Sequence, residues 1–275
     1  MTPPRAKKSL GQHFLTDRSV LARIVAAAGI TAGDRVLEIG PGRGALTRAL
    51  VEAGARVTAV ELDRELVPLL ERQFAAGGQL EEVPADILRV DLRHLLAERS
   101  VGPWKLVANL PYNISSPLLF RFLEVRELFS CLVLMLQKEV GERLVAVPGT
   151  SAYGVLSLLL PLHFAIDRVC TVRPGSFFPR PQVDSLVLRF QPLPAPRTEV
   201  GNQELFRQVV KGAFGQRRKT LANALKGADL TADPGLLDRS LAEAGIDPRR
   251  RGETLSLEEF ARLSRTLGGF LGDSL

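Results

Sequence analysis

At 275 residues, with 45% hydrophobic and 24% charged side chains, the sequence has the balance of a folded globular protein, long enough for one large domain and a smaller one, and not that of a disordered chain. Its longest apolar runs, Cys131–Leu136 and Val155–Leu162, fall far short of the roughly 20 residues that a membrane helix needs, and no apolar segment follows the basic start as a secretory signal requires. The expected address is therefore cytoplasmic, the net charge of +6 favours a polyanionic partner, and Cys131 and Cys170, far apart in apolar sequence, read as reduced packed thiols with no metal site.

In chain order, the cations Arg5, Lys7 and Lys8 come first. From Val20 to about Val140, short apolar runs then alternate with amphipathic stretches. This predicts strands at Arg35–Ile39, Val57–Val60 and Lys105–Ala108, with helices over Ala45–Ala53, Leu66–Phe74 and Ser116–Leu123. Such alternation is that of an α/β protein with a mostly parallel sheet and crossover helices. The runs Cys131–Leu136 and Val155–Leu162 suit a buried strand or a helix equally. Ser185–Phe190 reads as the last strand, and Pro192, Pro194 and Pro196 as a short stiff linker. Beyond it, Leu205, Val209 and Ala213 recur at helical spacing, as does Leu255–Leu267 behind a Ser256 cap. Two domains are predicted, 1–197 and a small all-helical one at 198–275. Between Leu205 and Ala228 stand six cations and no acid, a second basic patch.

The strand Val36–Ile39 runs straight into Gly40-Pro-Gly42-Arg-Gly44 and then a helix. Glycine suits this turn because a side chain would block a ligand lying on the backbone and would resist positive φ, and the helix amides face whatever binds. Glu61 stands 21 residues beyond Gly40 at the end of the next strand, where a carboxylate accepts from both hydroxyls of a ribose. Gly40, Gly42 and Glu61 thus indicate a nucleoside-containing cofactor. A dinucleotide also satisfies this glycine spacing, but the form Glu38-x-Gly40-x-Gly42-x-Gly44 is similar to that of class I methyltransferases. Asp86 is placed either to accept from an adenine amino group or to cap a helix.

At the carboxyl end of the Lys105–Ala108 strand comes Asn109-Leu-Pro-Tyr112, where parallel sheets place chemistry. The Asn109 side-chain oxygen and the Leu110 carbonyl can each take one hydrogen of an adenine amine, aiming its lone pair at an electrophilic methyl. This is orientation and electrostatic preorganisation, not base catalysis. Pro111 keeps Leu110 extended, and Tyr112 offers a ring to a base that has left the RNA stack.

With these motifs the chain resembles, along essentially its whole length, the ribosomal RNA adenine dimethyltransferase family, and within it the bacterial small-subunit branch. The resemblance is carried by Lys8–Leu15 (KSLGQHFL), Glu38–Gly44, Asn109–Tyr112, Ser176–Ser185 (SFFPRPQVDS) and Phe214–Asn223 (FGQRRKTLAN). It implies a Rossmann-like class I methyltransferase domain followed by a helical RNA-binding domain. The implied cofactor is S-adenosyl-L-methionine, and the implied reaction is dimethylation of the N6 amines of two adjacent adenosines in 16S ribosomal RNA within an assembling particle, by a monomer. It further implies cofactor contacts at His13, Leu15, Gly40, Glu61, Asp86 and Asn109, with Asn109, Tyr112 and Phe177 around the target base. Most of the family has Asn where this chain has His13, and Phe177 is open to a core-packing role as well. Arg217, Arg218 and Lys219 are expected to meet RNA phosphates.

Overall fold

Four consecutive residues of the second strand, Val36 to Ile39, are at most 2% exposed, the pattern of a strand covered on both faces at the centre of a parallel sheet. The computed structural model describes residues 6–7, 10–75, 77–99, 102–231 and 233–272. Arg5, Lys8 and Ser9 of the amino-terminal motif and basic patch lie outside them. In chain order the elements are β1 (Phe14–Leu15), α1 (Arg18–Ala28), β2 (Arg35–Ile39), α2 (Ala45–Glu52), β3 (Arg56–Glu61), α3 (Val67–Phe74), β4 (Leu80–Pro84), α4 (Leu92–Ala97), β5 (Trp104–Asn109), α5 (Ser115–Glu124), β6 (Phe129–Gln137), α6 (Lys138–Leu144) and α7 (Val155–Leu159). They continue with β7 (Phe164–Val172), β8 (Phe177–Phe178), β9 (Ser185–Pro192), α8 (Gln203–Gly215), α9 (Leu221–Lys226), α10 (Pro234–Glu243) and α11 (Leu257–Gly272).

The main sheet has the order β4-β3-β2-β5-β6-β9-β7. The first five strands are parallel, while β9 runs antiparallel to both β6 and β7. The predicted α/β class is therefore found, with an antiparallel pair closing one edge. Alternate residues of β6, namely Cys131, Val133 and Met135, face one core with Val20, Leu21 and Ile24 of α1 and with Leu46 and Leu50 of α2, as the two-residue period of a strand dictates. Helix α1 starts where the Asp17 carboxylate accepts from the Ser19 and Val20 amides, and it stops at left-handed Gly29. The chain reverses direction across the sheet between β2 and β5, so the crevice beyond their carboxyl ends is where a ligand is expected. A separate two-stranded ribbon pairs β1 with β8, Phe14 opposite Phe178 and Leu15 opposite Phe177.

The chain divides into two compact units. The first runs up to Gly141 and includes Phe164–Pro192; the second comprises Glu142–His163 and the chain from Leu193 onward. The linear division at 197/198 thus differs from the observed one chiefly by Glu142–His163, which joins the helices. The reason is local to the second unit: Tyr153 stacks edge-on against Phe214 and donates its hydroxyl to the Leu255 carbonyl at 2.9 Å. In the same unit α11 opens on a reciprocal cap, the Glu259 amide donating to Ser256 Oγ and the Ser256 amide to Glu259 Oε2. Ser256 is the cap that the sequence predicts.

Candidate active site

The carboxyl ends of β2, β3, β4 and β5, roofed by Leu10–Leu15, enclose a cleft of about 220 Å³. Gly40, Gly42 and Gly44 turn the chain from β2 into α2 with φ of 65°, 58° and 80°, a region that side chains disfavour. A Cβ at Gly40 would meet no atom within 4 Å, whereas one at Gly42 would lie 2.8 Å from the Phe14 ring. The turn is therefore open toward the cleft at its first glycine and closed beneath an aromatic at its second.

At the end of β3, Glu61 is 6% exposed and holds the turn from the other side. Its two carboxylate oxygens accept from the Gly42 amide at 3.1 Å and the Asp63 amide at 2.8 Å. Burial raises its pKa, and those amide bonds pull it partway back. Each oxygen retains acceptor capacity toward the cleft. The next turn also straps the roof down, since Asp63 accepts from Lys7 Nζ at 2.7 Å and from Gln12 Nε2 at 2.9 Å. Lys7, predicted as part of a basic patch, is thereby engaged with Asp63 and Glu65. Asp86 lines the cleft, and its carboxylate accepts from the Leu88 amide at 3.0 Å within a turn; it caps no helix, since α4 begins at Leu92 behind the Asp91 cap.

Glu38 carries the strongest electrostatic signature. It is 1% exposed, its Oε2 has no hydrogen-bond partner among the described residues, and burial, helped by the charge of nearby Glu61 and opposed by Thr47, pushes its pKa up to about 8. It is thus protonated at neutral pH in the folded protein. The unfolded chain ionises Glu38 near its ordinary value while the folded protein holds the proton. The stability contribution is then complete below about pH 4.5 and is lost as pH rises toward 8, with a slope of at most ~1.4 kcal/mol per pH unit. Glu38→Gln is expected to flatten that decline. Denaturant melts between pH 5 and 8 measure it, and parallel profiles for the two proteins would refute the assignment.

Asn109 ends β5 and lines the same cleft. Its Nδ2 donates to the His13 backbone carbonyl at 2.9 Å, which leaves Oδ1 as the acceptor on the opposite side of the amide. Leu110 is fixed by donation of its N–H to the Met135 carbonyl at 3.1 Å, and among the described residues nothing donates to its own carbonyl. Tyr112 is held by a 2.7 Å bond between its hydroxyl and Ser185 Oγ, and burial keeps that phenol protonated. The His13 ring stacks on Tyr112 with centroids 5.6 Å apart. Its Nδ1 lies 2.8 Å from the Pro179 carbonyl, an acceptor only, so Nδ1 carries the hydrogen. His13 therefore orients Asn109 through its main chain and braces Tyr112 through its ring.

Of the residues predicted from sequence, the structure brings His13, Leu15, Gly40, Gly42, Glu61, Asp86, Asn109, Leu110, Pro111 and Tyr112 around one cleft. Of the two readings of Phe177, base contact and core packing, the structure favours the second. Phe177 is 3% exposed and packed in the core beside Leu15, so its ring offers no face to a base in this conformation. Adjacent strand residues point to opposite sides, and in β8 it is Phe178 that faces out, 61% exposed. Sequence reasoning passed over Phe178; the doublet announced one inward and one outward ring without saying which. Arg217, itself exposed, donates to Glu253 at 3.1 Å, 36 positions downstream. Its neighbours Arg218 and Lys219 are exposed.

The profile of the ribosomal RNA adenine dimethylase family matches residues 4–267. The chain is 57% identical to Ribosomal RNA small subunit methyltransferase A of Geobacter sulfurreducens, over 96% of this chain and 95% of that protein. It is 44% identical to the protein of the same name in Clostridium acetobutylicum, over 94% and 93%. Among solved structures, a dimethyladenosine transferase from Plasmodium falciparum superposes with a TM-score of 0.77 at 28% identity, covering 96% of this chain and 99% of that one. The 23S rRNA methyltransferase ErmE does so at 0.69 and 26%, over 93% and 99%. The sheet, with its glycine turn after the first parallel strand and its antiparallel edge, is that of the Rossmann-like class I methyltransferases, and the chain belongs to the ribosomal RNA adenine dimethylase family.

Proposed function

We propose that this protein transfers methyl groups from S-adenosyl-L-methionine to the N6 amines of two adjacent adenosines of 16S ribosomal RNA in an assembling small subunit, working as a cytoplasmic monomer. The observation that carries the reading is the bond from Asn109 Nδ2 to the His13 carbonyl. It supports a reading in which the oxygen end of the amide meets the substrate, beside the Leu110 carbonyl.

The cleft fits the cofactor. Gly40 leaves room where a Cβ would intrude on a ligand, and the Glu61 carboxylate stands at the strand end where ribose hydroxyls are recognised. When bound, the sulfonium supplies an electrophilic methyl carbon. The protein's own part is to present the amine: its nitrogen lone pair is delocalised into the adenine ring, and two carbonyl oxygens accepting its two hydrogens favour the pyramidal form and the positive charge that develops on nitrogen. Tyr112, neutral, held at its hydroxyl by Ser185 and on one face by His13, supplies its other ring face for the base. After one transfer the nitrogen sheds a proton to solvent and a single N–H remains for the two oxygens, so the second methylation proceeds with one hydrogen bond fewer.

Incubation with labelled cofactor and, in parallel, unmethylated small ribosomal particles and unmethylated 23S RNA, followed by nuclease digestion and nucleotide mapping, tests the reading. Label in dimethyladenosine at two adjacent positions of 16S RNA is expected; label confined to 23S RNA would transfer the chain to the large-subunit reaction. Arg218 and Lys219 are assigned to phosphate contacts. Alanine at both is expected to reduce the slope of log binding constant against log salt by roughly one to two, with cofactor affinity unchanged in calorimetry.

A further inference from the structure

Phe178 is the largest exposed apolar side chain beside the cleft, at 61%, and it does not stand alone. The Arg43 guanidinium carbon lies 5.9 Å from the Phe178 ring centroid and 4.7 Å from that of Phe14. Phe14 in turn covers Gly42, whose Cβ position is 2.8 Å from its ring. A file of ring, cation and ring thus runs from the glycine turn to the surface. Phe14 and Arg43 both line the cleft, so the outermost ring continues the catalytic site at its rim.

We propose that Phe178 is a stacking platform for the nucleobase adjoining the target adenine in the RNA substrate, an inference that rests on the RNA methyltransferase reading. A base drawn into the cleft leaves its neighbour without a stacking partner on that side. An exposed aromatic at the rim replaces the lost stack and does so for any base, because every base has a π-face. The cation beside the ring places positive charge where the connecting strand approaches. Leu15 and Phe177 anchor the ribbon on its inner side, so the outward ring is held with little entropy left to lose on binding. Phe178 acts on positioning and affinity; the methyl-accepting nitrogen is handled by Asn109 and Leu110.

A coupling experiment separates this from a structural role. A synthetic RNA hairpin carrying the two adjacent adenosines in its loop is prepared intact and with an abasic site in place of the target's neighbour, and its affinity is measured for wild type, Phe178→Ala and Phe178→Trp. The alanine variant is expected to bind the intact hairpin roughly 5- to 100-fold more weakly, the range for losing one base–aromatic stack, and to lose nothing further on the abasic hairpin; tryptophan restores binding. An equal loss on both hairpins, or none on either, would overturn the proposal. A defect confined to whole particles and absent on the hairpin would also overturn it, in favour of a protein contact. Failure of the wild type to methylate unmodified particles would instead overturn the RNA methyltransferase reading and take this inference with it.

Discussion

Replacing Asn109 with alanine is expected to lower kcat by about 10²–10³-fold, the cost of removing one preorganised polar group from a site of developing charge. The geometry makes the expectation specific. Asn109 spends its donor on His13 and keeps its oxygen for substrate, so alanine removes half of the amine's grip and strands the His13 carbonyl. The stranded carbonyl costs the fold only about 1–3 kcal/mol, and the variant is expected to remain folded by circular dichroism. Asn109→Asp is the more informative companion: it retains an oxygen but loses the N–H that aims it, and it faces the His13 carbonyl with another acceptor. A loss comparable to that of alanine is expected. Steady-state methyl transfer to unmethylated particles measures both, and an undiminished kcat in the alanine variant would falsify the assigned mechanism.

Glu61→Ala is expected to weaken S-adenosyl-L-methionine binding by at least ~100-fold in calorimetry, since hydrogen bonds to a charged group contribute about 1.5–3 kcal/mol each and a ribose offers two. The carboxylate also accepts from the Gly42 and Asp63 amides, so its removal loosens the glycine turn and the Asp63 strap together. Glu61→Gln retains an acceptor oxygen and is expected to fall between wild type and alanine. Kd values within threefold of wild type in both variants would remove Glu61 from the cofactor site.

The parts of the molecule legible in the sequence are those set by local rules. The turn from Ile39 through Gly44 follows from a buried strand followed by glycines with positive φ, and Asn109–Tyr112 is placed by the strand before it. Strand β7 escaped because its burial pattern mixes exposed Asp167 and Arg168 into an edge strand whose register shifts between Arg168 and Cys170; only pairing with β9 defines it. The ribbon of β1 and β8 has two residues on each side, too few for any periodicity. Glu142–His163 reads as core of the first domain until Tyr153 finds the Leu255 carbonyl 102 positions away. The same distance problem hid the Arg217–Glu253 pair and which of Phe177 and Phe178 faces inward. What sequence conveys poorly is thus partnership across long separations, which no window of neighbouring residues contains.

That ribbon sets an order on the birth of the enzyme. Thr16 is bonded to Ser176, 160 positions later, and Leu15 has its strand partner only in Phe177. During translation β1 therefore waits without its strand partner until nearly two thirds of the polypeptide has been synthesised, although Asp63, which accepts from Lys7 and Gln12, emerges early. His13, whose carbonyl aims Asn109 and whose ring stacks on Tyr112, gains its Pro179 bond only then. The residues that line the glycine turn are thus synthesised long before the ribbon that roofs them can pair.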